Sequence, residues 1–402
     1  MQKSITICLS GGIDSAIAAF LLRKQGYNVK GIYMKNWATP TTNKNDAVPK
    51  ISKNFDLSCP QHKDYMYAQN VAEFLEIDLK LIDLQKEYWT EVFEPFIEGL
   101  GDNITPNPDI YCNRYIKFNA LRKHIDTKFM ATGHYCRMKK GQLKRARDTW
   151  KDQSYFLCQV RNFKDCMFPL GDLLKLQVKW MAFQLANSNV TSFSELMYYS
   201  NEKREPYRNT KSTGNIFGDL LMKRESMGIC FIGKQDFGTF IDKYMDERTG
   251  YLVDIDSGKR IEGHKGSHFY TIGQGIKLSG QPLKLYVVHK DGNTVFVGPY
   301  NHVMLYTSSV DVRGMHWFKK PTYSMMAKVR HPFPLISCTY KDDMIYFDTP
   351  VRALTPGQVL CLYDDDCVVG SMEIPHDWNR DVVANFIPRS LPAMDTQVGT
   401  PH

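Results

Sequence analysis

A short loop near the N-terminus has the residue types of an anion-binding turn. Ser10-Gly11-Gly12-Ile13-Asp14-Ser15 follows the β-rich run Ser4–Leu9 and opens a segment of helical composition, Ser15–Gln25. Where a strand passes into a helix, backbone N–H groups and the helix dipole can bind phosphate, and glycines let the backbone approach it closely. The chain has neither G-x-x-x-x-G-K-[ST] nor G-x-G-x-x-G, so this is not a Walker loop or a dinucleotide fingerprint. We therefore expect a nucleotide loop of another class.

A cysteine follows a stiff loop in Thr105-Pro-Asn-Pro-Asp-Ile-Tyr-Cys-Asn113. The two prolines fix the backbone, and Cys112 is predicted to stand near the N-terminus of a helix. There the helix dipole favours a thiolate and lowers the thiol pKa towards neutrality. Asp109 can reach the same space as a general acid or base. A buried, inert thiol is the structural alternative for any single cysteine.

The other nine cysteines give weaker signals. Cys230 lies in Gly228-Ile-Cys-Phe-Ile-Gly233, a short apolar run that equally fits a buried strand. No C-x-x-C pair is present, so a zinc ribbon or thioredoxin-type motif has no support. Cys59-Pro-Gln-His62 has C-x-x-H spacing but lacks two further ligands, and no metal site is predicted.

The elements that must position these residues alternate between strand and helix in the first third of the chain. Strands are predicted at Ser4–Leu9, Tyr27–Met34, Leu79–Asp83 and Lys128–Thr132. Helical spacing falls between them, as in Ala68, Val71, Ala72 and Leu75. This order favours a parallel sheet covered on both faces, that is, an α/β domain. The polar stretch from Ala38 to Pro60 is predicted to be a loop or insertion.

Short β-rich runs dominate after about residue 235. A hairpin is indicated by Tyr286–Lys290, the turn Asp291-Gly292 and Thr294–Val297, and later runs of similar spacing suggest small barrels. We therefore predict an α/β domain over 1–235, a small central β domain over 236–300, a C-terminal β-barrel over 301–385 and a tail over 386–402.

Composition excludes several classes of protein. The 402 residues are 43% hydrophobic and 23% charged, which rules out disorder and collagen-like repeats. No apolar run is long enough to span a membrane, and the early apolar stretch is interrupted by Asp14, so neither a membrane anchor nor a secretory signal is predicted. The 51 Lys and Arg outnumber the 43 Asp and Glu, a net charge of +8 that is compatible with a nucleic-acid partner. Six basic residues between Arg137 and Arg147 fit either a solvated hairpin or a surface that follows phosphates.

The nucleotide loop matches the S-G-G-x-D-S signature of the PP-loop ATP pyrophosphatases, and the chain resembles one family of them, the tRNA-specific 2-thiouridylases, nearly from end to end. The matching segments besides the loop are Met34-Lys-Asn-Trp37, Thr105–Asn113, Ala131-Thr-Gly-His-Tyr135, Lys151–Leu157, Gly228–Gly233, His264-Lys-Gly266, Tyr270-Thr-Ile-Gly-Gln274 and Arg352-Ala-Leu-Thr-Pro-Gly-Gln358. The resemblance implies an α/β PP-loop parallel-sheet domain, a small β domain and a C-terminal β-barrel. It also implies that the domain over 1–235 is the catalytic one and includes a tRNA-binding helical part.

The resemblance also implies roles for individual residues. Cys112 would be the nucleophile, Cys230 the persulfide carrier and Asp109 the acid/base partner. The residues expected to hold ATP, with Mg²⁺, are Cys8, Leu9, Ser10, Gly11, Gly12, Ile13, Asp14, Ser15, Met34 and Gly133. Those expected to contact the target base are Asn107, Pro108 and Asp109. Those expected to contact the rest of the tRNA are His134, Lys151, Asp152, Gln153, Arg330, His331 and Gln358.

The implied reaction is ATP-dependent 2-thiolation of the wobble uridine in the anticodon stem-loop of tRNA. Adenylation would activate the C2 oxygen, and a persulfide on Cys230, loaded by a donor such as a cysteine desulfurase relay, would deliver sulfur. Two other functions stay open: a PP-loop ligase that adenylates another carbonyl and needs neither cysteine, and a tRNA-binding protein without activity. The intact Asp14, Asp109, Cys112 and Cys230 argue against the latter.

The sequence departs from the family pattern in two places. Gln274 is followed by Gly275 where a basic residue is usual, so a tRNA contact is expected to be missing or moved there. Trp37 is followed by Ala38 where an Asp is common.

Glu225-Ser-Met-Gly228 and His264-Lys-Gly266 resemble the mitochondrial branch, whereas a first strand at Ser4 leaves no room for a cleavable presequence. A mitochondrial location is expected, with the bacterial cytoplasm as the alternative.

Overall fold

The computed structural model describes residues 2–37, 60–188, 193–195, 215–223, 237–278 and 283–376. Cys230 and nearly all of the predicted insertion, residues 38–59, lie outside these ranges, as does the predicted tail. In the part of the chain that is described, no helix is both long and apolar enough to cross a membrane.

The first sheet is wholly parallel, with strand order β3-β2-β1-β4-β7. Its strands are β1 (Ser4–Cys8), β2 (Asn28–Lys35), β3 (Leu79–Asp83), β4 (Phe129–Ala131) and β7 (Cys166–Met167). The chain runs outward from β1 to β3 and then returns to the other side of β1 with β4. Ligands of open α/β sheets bind beyond the carboxyl ends of the strands at such a reversal. The fold therefore places a ligand crevice at the loop that follows β1.

Helices connect these strands. Ile13–Lys24 follows β1 and Pro60–Leu75 precedes β3. A longer helical region between β3 and β4 comprises Gln85–Tyr88, Trp89–Phe93, Glu94–Gly101, Pro108–Tyr111, Cys112–Ala120 and Leu121–His124. Later helices are Ser154–Leu157, Lys175–Ala186, Ile216–Met222 and Phe237–Ile241. The predicted α/β architecture of the first domain is confirmed.

The second sheet is a small five-stranded one, with order β10-β11-β12-β8-β9. Its strands are β8 (Gly250–Asp254), β9 (Arg260–His264), β10 (Gly275–Ile276), β11 (Leu285–Asp291) and β12 (Thr294–Gly298). The predicted hairpin is β11–β12, and Gly292 in its turn has φ of 52°, a conformation that glycine adopts without strain.

The third sheet has nine strands, and two of them come from far away in the sequence. It contains β13 (Tyr306–Asp311), β14 (His316–Trp317), β15 (Ser324–Lys328), β16 (Ile336–Lys341), β17 (Met344–Arg352), β18 (Val359–Asp364) and β19 (Cys367–Glu373). The hairpin β5 (Cys136–Lys139) and β6 (Gln142–Arg145) completes it, because β6 pairs with β19. The basic run of the first domain thus forms a hairpin, but one built onto the C-terminal sheet.

One hydrophobic cluster joins the first domain to this third sheet. It includes Ile32 of β2, Phe93 and Cys112 from the helical region, and Val359 and Tyr363 of β18. A shared core of this kind fixes the third sheet against the helical region that carries Cys112.

Candidate active site

The loop after β1 is folded around the Ser15 hydroxyl. The Ser10 backbone N–H donates to Ser15 Oγ at 3.1 Å, and Ser15 Oγ donates to the Gly12 carbonyl at 2.9 Å. Gly12 occupies the N-cap of helix Ile13–Lys24 and supplies no side-chain cap. The first N–H groups of an α-helix have no partner inside the helix, so this uncapped end can receive a phosphate.

Two glycines let neighbouring backbone approach this loop. Gly11 has φ of 69°, and a Cβ atom there would lie 2.0 Å from the carbonyl oxygen of Asp64. A Cβ atom on Gly133, which follows β4, would lie 2.8 Å from the backbone nitrogen of Ser15. Gly133 therefore packs on the start of the helix at the reversal of strand order.

Asp14 is held by two groups from distant parts of the chain. The Lys175 Nζ donates to both carboxylate oxygens at 2.7 and 2.8 Å, and the Tyr135 hydroxyl donates to Oδ1 at 2.8 Å. Lys175 is the first residue of helix Lys175–Ala186 and is buried. Burying a charged group is costly unless it is paired, and Asp14 supplies the pairing.

A second lysine contacts the loop through a backbone carbonyl. The Lys223 Nζ donates to the Gly11 carbonyl and to Asp64 Oδ1, each at 2.6 Å, and lies 4.5 Å from the Tyr67 ring centroid. Two ammonium groups, each paired with a carboxylate, thus contact a loop whose helix end is already positive. A polyphosphate bound at the loop would be attracted by both ammonium groups and by the helix end.

The Asp109 and Cys112 segment forms the helix start that the sequence predicts. Asn107 caps the helix, its Oδ1 accepting from the Asp109 and Ile110 N–H groups at 3.2 and 3.3 Å. Cys112 follows the first turn and is fully buried, whereas Asp109 is partly exposed. From Cys112 to Ala120 the helix has π-type hydrogen bonding, which is rare and occurs frequently at functional sites.

The far end of this helix lies beside His134, the residue that follows Gly133. The Phe118 ring lies 6.0 Å from the imidazole of His134, and the His134 Nδ1 is 2.8 Å from Thr132 Oγ1. Burial lowers the pKa of His134 well below its usual value, and the Lys117 ammonium lowers it further. Burial raises the pKa of the Cys8 thiol to about 12, although the Lys117 ammonium acts in the opposite direction. His134 and Cys8 are therefore both neutral near pH 7.

Met34, expected at the nucleotide site, lies near the carboxyl end of β2, where it pairs with Ile82 of β3. Its side chain is partly exposed. The backbone N–H of Leu9 donates to the carbonyl of Ile32 at 2.9 Å, which ties the start of the loop to the same strand. The end of β2 therefore lies beside the loop.

Two residues expected to contact tRNA have internal partners. Asp152 is 1% exposed, and its Oδ1 accepts from Ala146 N and Ser154 N while Oδ2 accepts from Ser154 Oγ. Gln153 is tied to Tyr135 in both directions: its Oε1 accepts from Tyr135 N at 2.9 Å, and its own N–H donates to Tyr135 O at 2.8 Å. Gln153 thereby positions the tyrosine that contacts Asp14.

Lys151 and His331 meet where the first domain contacts the third sheet. The His331 ring bonds the Asp152 backbone and packs on Phe156 at a centroid distance of 4.5 Å. Burial lowers the His331 pKa, and Lys328 and Lys151 contribute in the same direction. Arg330 donates to the carbonyl of Ile272 at 3.2 Å and to Thr355 Oγ1. Lys151 and His331, 180 positions apart, are thus brought together.

The basic hairpin is half neutralised by its own ion pairs. Arg137 and Lys144 contact Asp366 at 2.8 and 2.7 Å, and Arg145 contacts Asp152 at 3.4 Å. Lys139, Lys140 and Arg147 are exposed. A phosphate-binding role for the hairpin therefore rests on these three side chains.

Sequence reasoning did not single out Lys175, Lys223 or Tyr135 as individual site residues. Tyr135 lies in a segment that matches the family, but nothing local marks the two lysines as site residues. The partner of Lys175, Asp14, is 161 positions away. The partners of Lys223, Gly11 and Asp64, are 212 and 159 positions away. Among the described residues, no three His, Cys, Asp or Glu side chains are grouped so as to hold a metal ion. How Cys230 lies relative to Cys112 falls outside those residues.

Three family models match consecutive parts of the chain. They are a tRNA methyl transferase HUP domain at residues 3–192, a tRNA methyl transferase PRC-barrel domain at 238–299 and an aminomethyltransferase β-barrel domain at 307–374. Together with the loop, they define a PP-loop protein of the HUP class that is followed by two β domains.

Curated relatives identify the family within this class. The tRNA-specific 2-thiouridylases of Chlamydia abortus and Mycoplasmopsis synoviae are both 35% identical to the chain, over 92% and 96% of it and 96% and 99% of their own lengths. The mitochondrial tRNA-specific 2-thiouridylase 1 of Drosophila melanogaster is 32% identical over 93% of the chain and 94% of its own length. The chain belongs to the family of tRNA-specific 2-thiouridylases.

Proposed function

We propose that this chain is an ATP-dependent tRNA sulfurtransferase that converts the wobble uridine to 2-thiouridine. The observation that carries the proposal is the arrangement of one helix: its first turns carry Asp109 and Cys112, and its Phe118 ring lies 6.0 Å from the imidazole of His134. His134 follows Gly133, which packs on the nucleotide loop at Ser15. One helix thus carries the nucleophilic thiol near its start and lies beside the nucleotide site at its other end. Family membership supplies the identity of the substrate.

The first step is adenylation of the uridine. The C2 oxygen attacks the α-phosphorus of ATP, the O–P bond forms, and pyrophosphate leaves with the electrons of the broken bond. The uncapped N-terminus of helix Ile13–Lys24 and the Lys175 and Lys223 ammonium groups are placed to stabilise the negative charge of the phosphates. Adenylation converts a poor leaving oxygen into part of AMP.

Mg²⁺ is expected to accompany ATP. This ion usually binds substrate phosphates together with one or two carboxylates and several waters. Asp14 and Asp64 are the two carboxylates beside the loop, and each is already contacted by a lysine, so the donor set fits an ion held mainly by the phosphates. Bound Mg²⁺ would neutralise phosphate charge during transfer.

The second step moves sulfur. The terminal sulfur of a Cys230 persulfide attacks C2, a C–S bond forms, and AMP leaves with the electrons of the C–O bond. The Cys112 thiolate then attacks Cys230 Sγ, so a Cys112–Cys230 disulfide forms and the sulfur bonded to C2 keeps the electrons of the broken S–S bond. Asp109 exchanges the proton at the base. A dithiol reductant returns both cysteines to thiols.

The partners follow from this chemistry. We expect the RNA to contact five partly or fully exposed side chains: Lys139, Lys140, Arg147, Lys151 and His331. A base inside the anticodon loop must be splayed out to reach Cys112. The persulfide comes from a donor protein such as a cysteine desulfurase relay.

A mitochondrial location is proposed for this activity, since the Drosophila relative is a mitochondrial enzyme. Import of the radiolabelled full chain into isolated mitochondria, followed by external protease, tests it. Protease-protected chain that requires a membrane potential is expected. Complete digestion in intact organelles would contradict a mitochondrial location.

The function is tested by 2-thiouridine formation on an unmodified tRNA transcript with ATP, Mg²⁺ and a cysteine desulfurase with cysteine. Products are resolved on a mercury-containing gel, which retards thiolated RNA. Wild type is expected to give product, whereas Cys112→Ser, Cys230→Ser and Asp109→Asn are not. Cys367→Ser is the matched control, because that cysteine is partly exposed and lies on β19, outside both the Ser10–Ser15 loop and the Thr105–Asn113 segment.

Each outcome bears on the assignment. Thiolation that survives Cys230→Ser would remove that cysteine from the sulfur route. Pyrophosphate release by wild type without thiolation would favour a PP-loop ligase. Neither reaction with tRNA bound would indicate a binding protein without activity.

A further inference from the structure

The third sheet holds one end of the segment that carries Asp109 and Cys112. The Thr105 N–H donates to the Pro356 carbonyl at 2.8 Å, and the Gln358 Nε2 donates to the Thr105 carbonyl at 2.8 Å. Gly357, between them, has φ of 82°, and a Cβ atom there would lie 2.9 Å from Pro106 N. The turn Pro356–Gln358 thus lies directly on the segment, without space for a side chain.

The same sheet holds the other end through a tyrosine and a glutamate. The Tyr111 hydroxyl lies 3.0 Å from both carboxylate oxygens of Glu373. Burial raises the pKa of Tyr111, and the Glu373 carboxylate raises it further, so the hydroxyl keeps its proton and donates. Burial also raises the pKa of Glu373. Removing either partner leaves a partly buried polar group without its hydrogen bond.

The two attachment points belong to one rigid unit. The Gly357 N–H donates to the Ile374 carbonyl at 2.9 Å, and the Ile374 N–H donates to the Gln358 carbonyl at 2.8 Å. Glu373 precedes Ile374 at the end of β19, so the group that holds Tyr111 and the turn that holds Thr105 are bonded directly to each other. The distance between the two anchors is therefore fixed by the sheet.

The residues expected to contact the target base lie between these anchors. Asn107, Pro108 and Asp109 fall between Thr105 and Tyr111, and Cys112 is the next residue. Pro106 and Pro108 stiffen the intervening backbone, so displacement of one anchor is transmitted along the segment. An error of about 1 Å in such a position can cost about 10²-fold in rate.

We propose that Tyr111 and Glu373 are positioning residues for sulfur transfer, through which the C-terminal barrel fixes Asp109 and Cys112 in the active site. The inference rests on the proposed function and adds to it. In this proposal the C-terminal barrel positions the reacting residues, in addition to any contact with RNA. Gln358 contributes by holding the Thr105 carbonyl.

The test compares full-length Tyr111→Phe, Glu373→Ala, Glu373→Gln and the double variant Tyr111→Phe/Glu373→Ala. Tyr115→Phe is the matched control: it removes a phenolic hydroxyl one turn further along the helix, from a ring 6.0 Å from that of Tyr111. Two quantities are measured: the single-turnover thiolation rate with persulfide-loaded enzyme, and the rate at which iodoacetamide labels Cys112, followed by peptide mass spectrometry.

Tyr111→Phe and Glu373→Ala should each lower the thiolation rate about tenfold or more and raise the labelling rate of the buried Cys112 several-fold. The double variant should be no worse than either single variant, since both remove one interaction. Glu373→Gln keeps an acceptor oxygen and should recover most of the rate. KM for ATP should not change in any variant, and Tyr115→Phe should resemble wild type.

Wild-type thiolation in both single variants would overturn the proposal, as would effects that multiply in the double variant. An unchanged labelling rate of Cys112 in Tyr111→Phe would also overturn it, because the thiol would then not depend on the anchor. Absence of thiolation in wild type would instead refute the proposed function, and the Cys112 labelling rates would still decide whether the anchor positions the segment.

Discussion

Lys175 and Asp14 form an ion pair at the nucleotide loop, with the Lys175 Nζ 2.7 and 2.8 Å from the two carboxylate oxygens. The lysine begins a helix 161 positions downstream, and its side chain is only 10% exposed. A buried ammonium of this kind depends on its partner. A polyphosphate bound at the loop would compete with Asp14 for the same ammonium. The pair therefore keeps a cation in place at the loop before the nucleotide arrives.

Replacing Lys175 with Met should lower pyrophosphate release about 10²-fold at saturating tRNA, since loss of one preorganised charge at a reacting centre has effects of this size. Release of pyrophosphate is followed with a coupled phosphatase assay. Lys179→Met, an exposed lysine one turn along the same helix, should retain the wild-type rate. A wild-type rate in Lys175→Met would show that the ammonium does not act on the phosphates.

Gly11→Ala should destabilise the protein more than Gly26→Ala. Both glycines have positive φ, 69° and 83°, so both substitutions carry the left-handed strain of about 1–2 kcal/mol. An added Cβ at Gly26 meets nothing within 4 Å, whereas at Gly11 it lies 2.0 Å from the Asp64 carbonyl oxygen. Overpacking adds about 1–3 kcal/mol. Urea unfolding measures the difference, and equal losses for the two variants would mean that the loop moves aside without cost.

Local sequence signals predicted the elements that depend on short-range physics. The strand Leu79–Asp83 has the predicted bounds, and the Asp291-Gly292 turn joins the expected hairpin. The helix after the nucleotide loop begins at Ile13, two residues earlier than predicted, because helix ends depend on caps more than on composition. The order of strands and helices in the first domain likewise followed from their alternation.

Features that depend on distant pairing could not be predicted from the sequence. The basic hairpin joins the third sheet through Lys144 and Cys367, which are 223 positions apart, and no periodicity in either segment indicates that pairing. Asp152 was expected to contact tRNA because it lies in a segment that matches the family, yet its carboxylate is buried and accepts from the backbone N–H groups of Ala146 and Ser154. The ammonium groups at the loop likewise become site residues only through tertiary packing.

Acidification should destabilise the protein through its buried histidines. Burial lowers the pKa of five of them below the usual value, namely His134, His264, His268, His289 and His331. An unfolded histidine titrates near 6.5, so below that pH the unfolded chain binds more protons than the folded one. The contribution of these histidines to the free energy of unfolding should therefore be fully present above about pH 6.5. It should decrease as the pH falls towards the folded pKa values, by about 1.4 kcal/mol per pH unit for each proton by which the unfolded and folded chains differ.

Urea unfolding at pH 7.0 and 5.5 measures this loss. His268→Gln removes one of the buried imidazoles and should lose less stability on acidification than wild type does. His124→Gln, at an exposed position, should follow the wild-type dependence. If His268→Gln and wild type lose the same free energy, His268 is not a source of the acid sensitivity.

Neighbouring residues Lys151 and Asp152 should separate RNA binding from stability. Lys151→Gln removes a partly exposed positive charge and should weaken tRNA binding, with a shallower dependence of the binding constant on salt, while leaving the urea midpoint unchanged. Asp152→Asn places an amide where the carboxylate accepts from Ala146 N and Ser154 Oγ, and should cost about 1–3 kcal/mol of stability. Its tRNA affinity per folded molecule should stay close to that of wild type, because the carboxylate is 1% exposed. Filter binding over a range of salt concentrations, combined with urea unfolding, measures both quantities. A loss of affinity in Asp152→Asn as large as that in Lys151→Gln, without loss of stability, would place the carboxylate at the RNA surface instead.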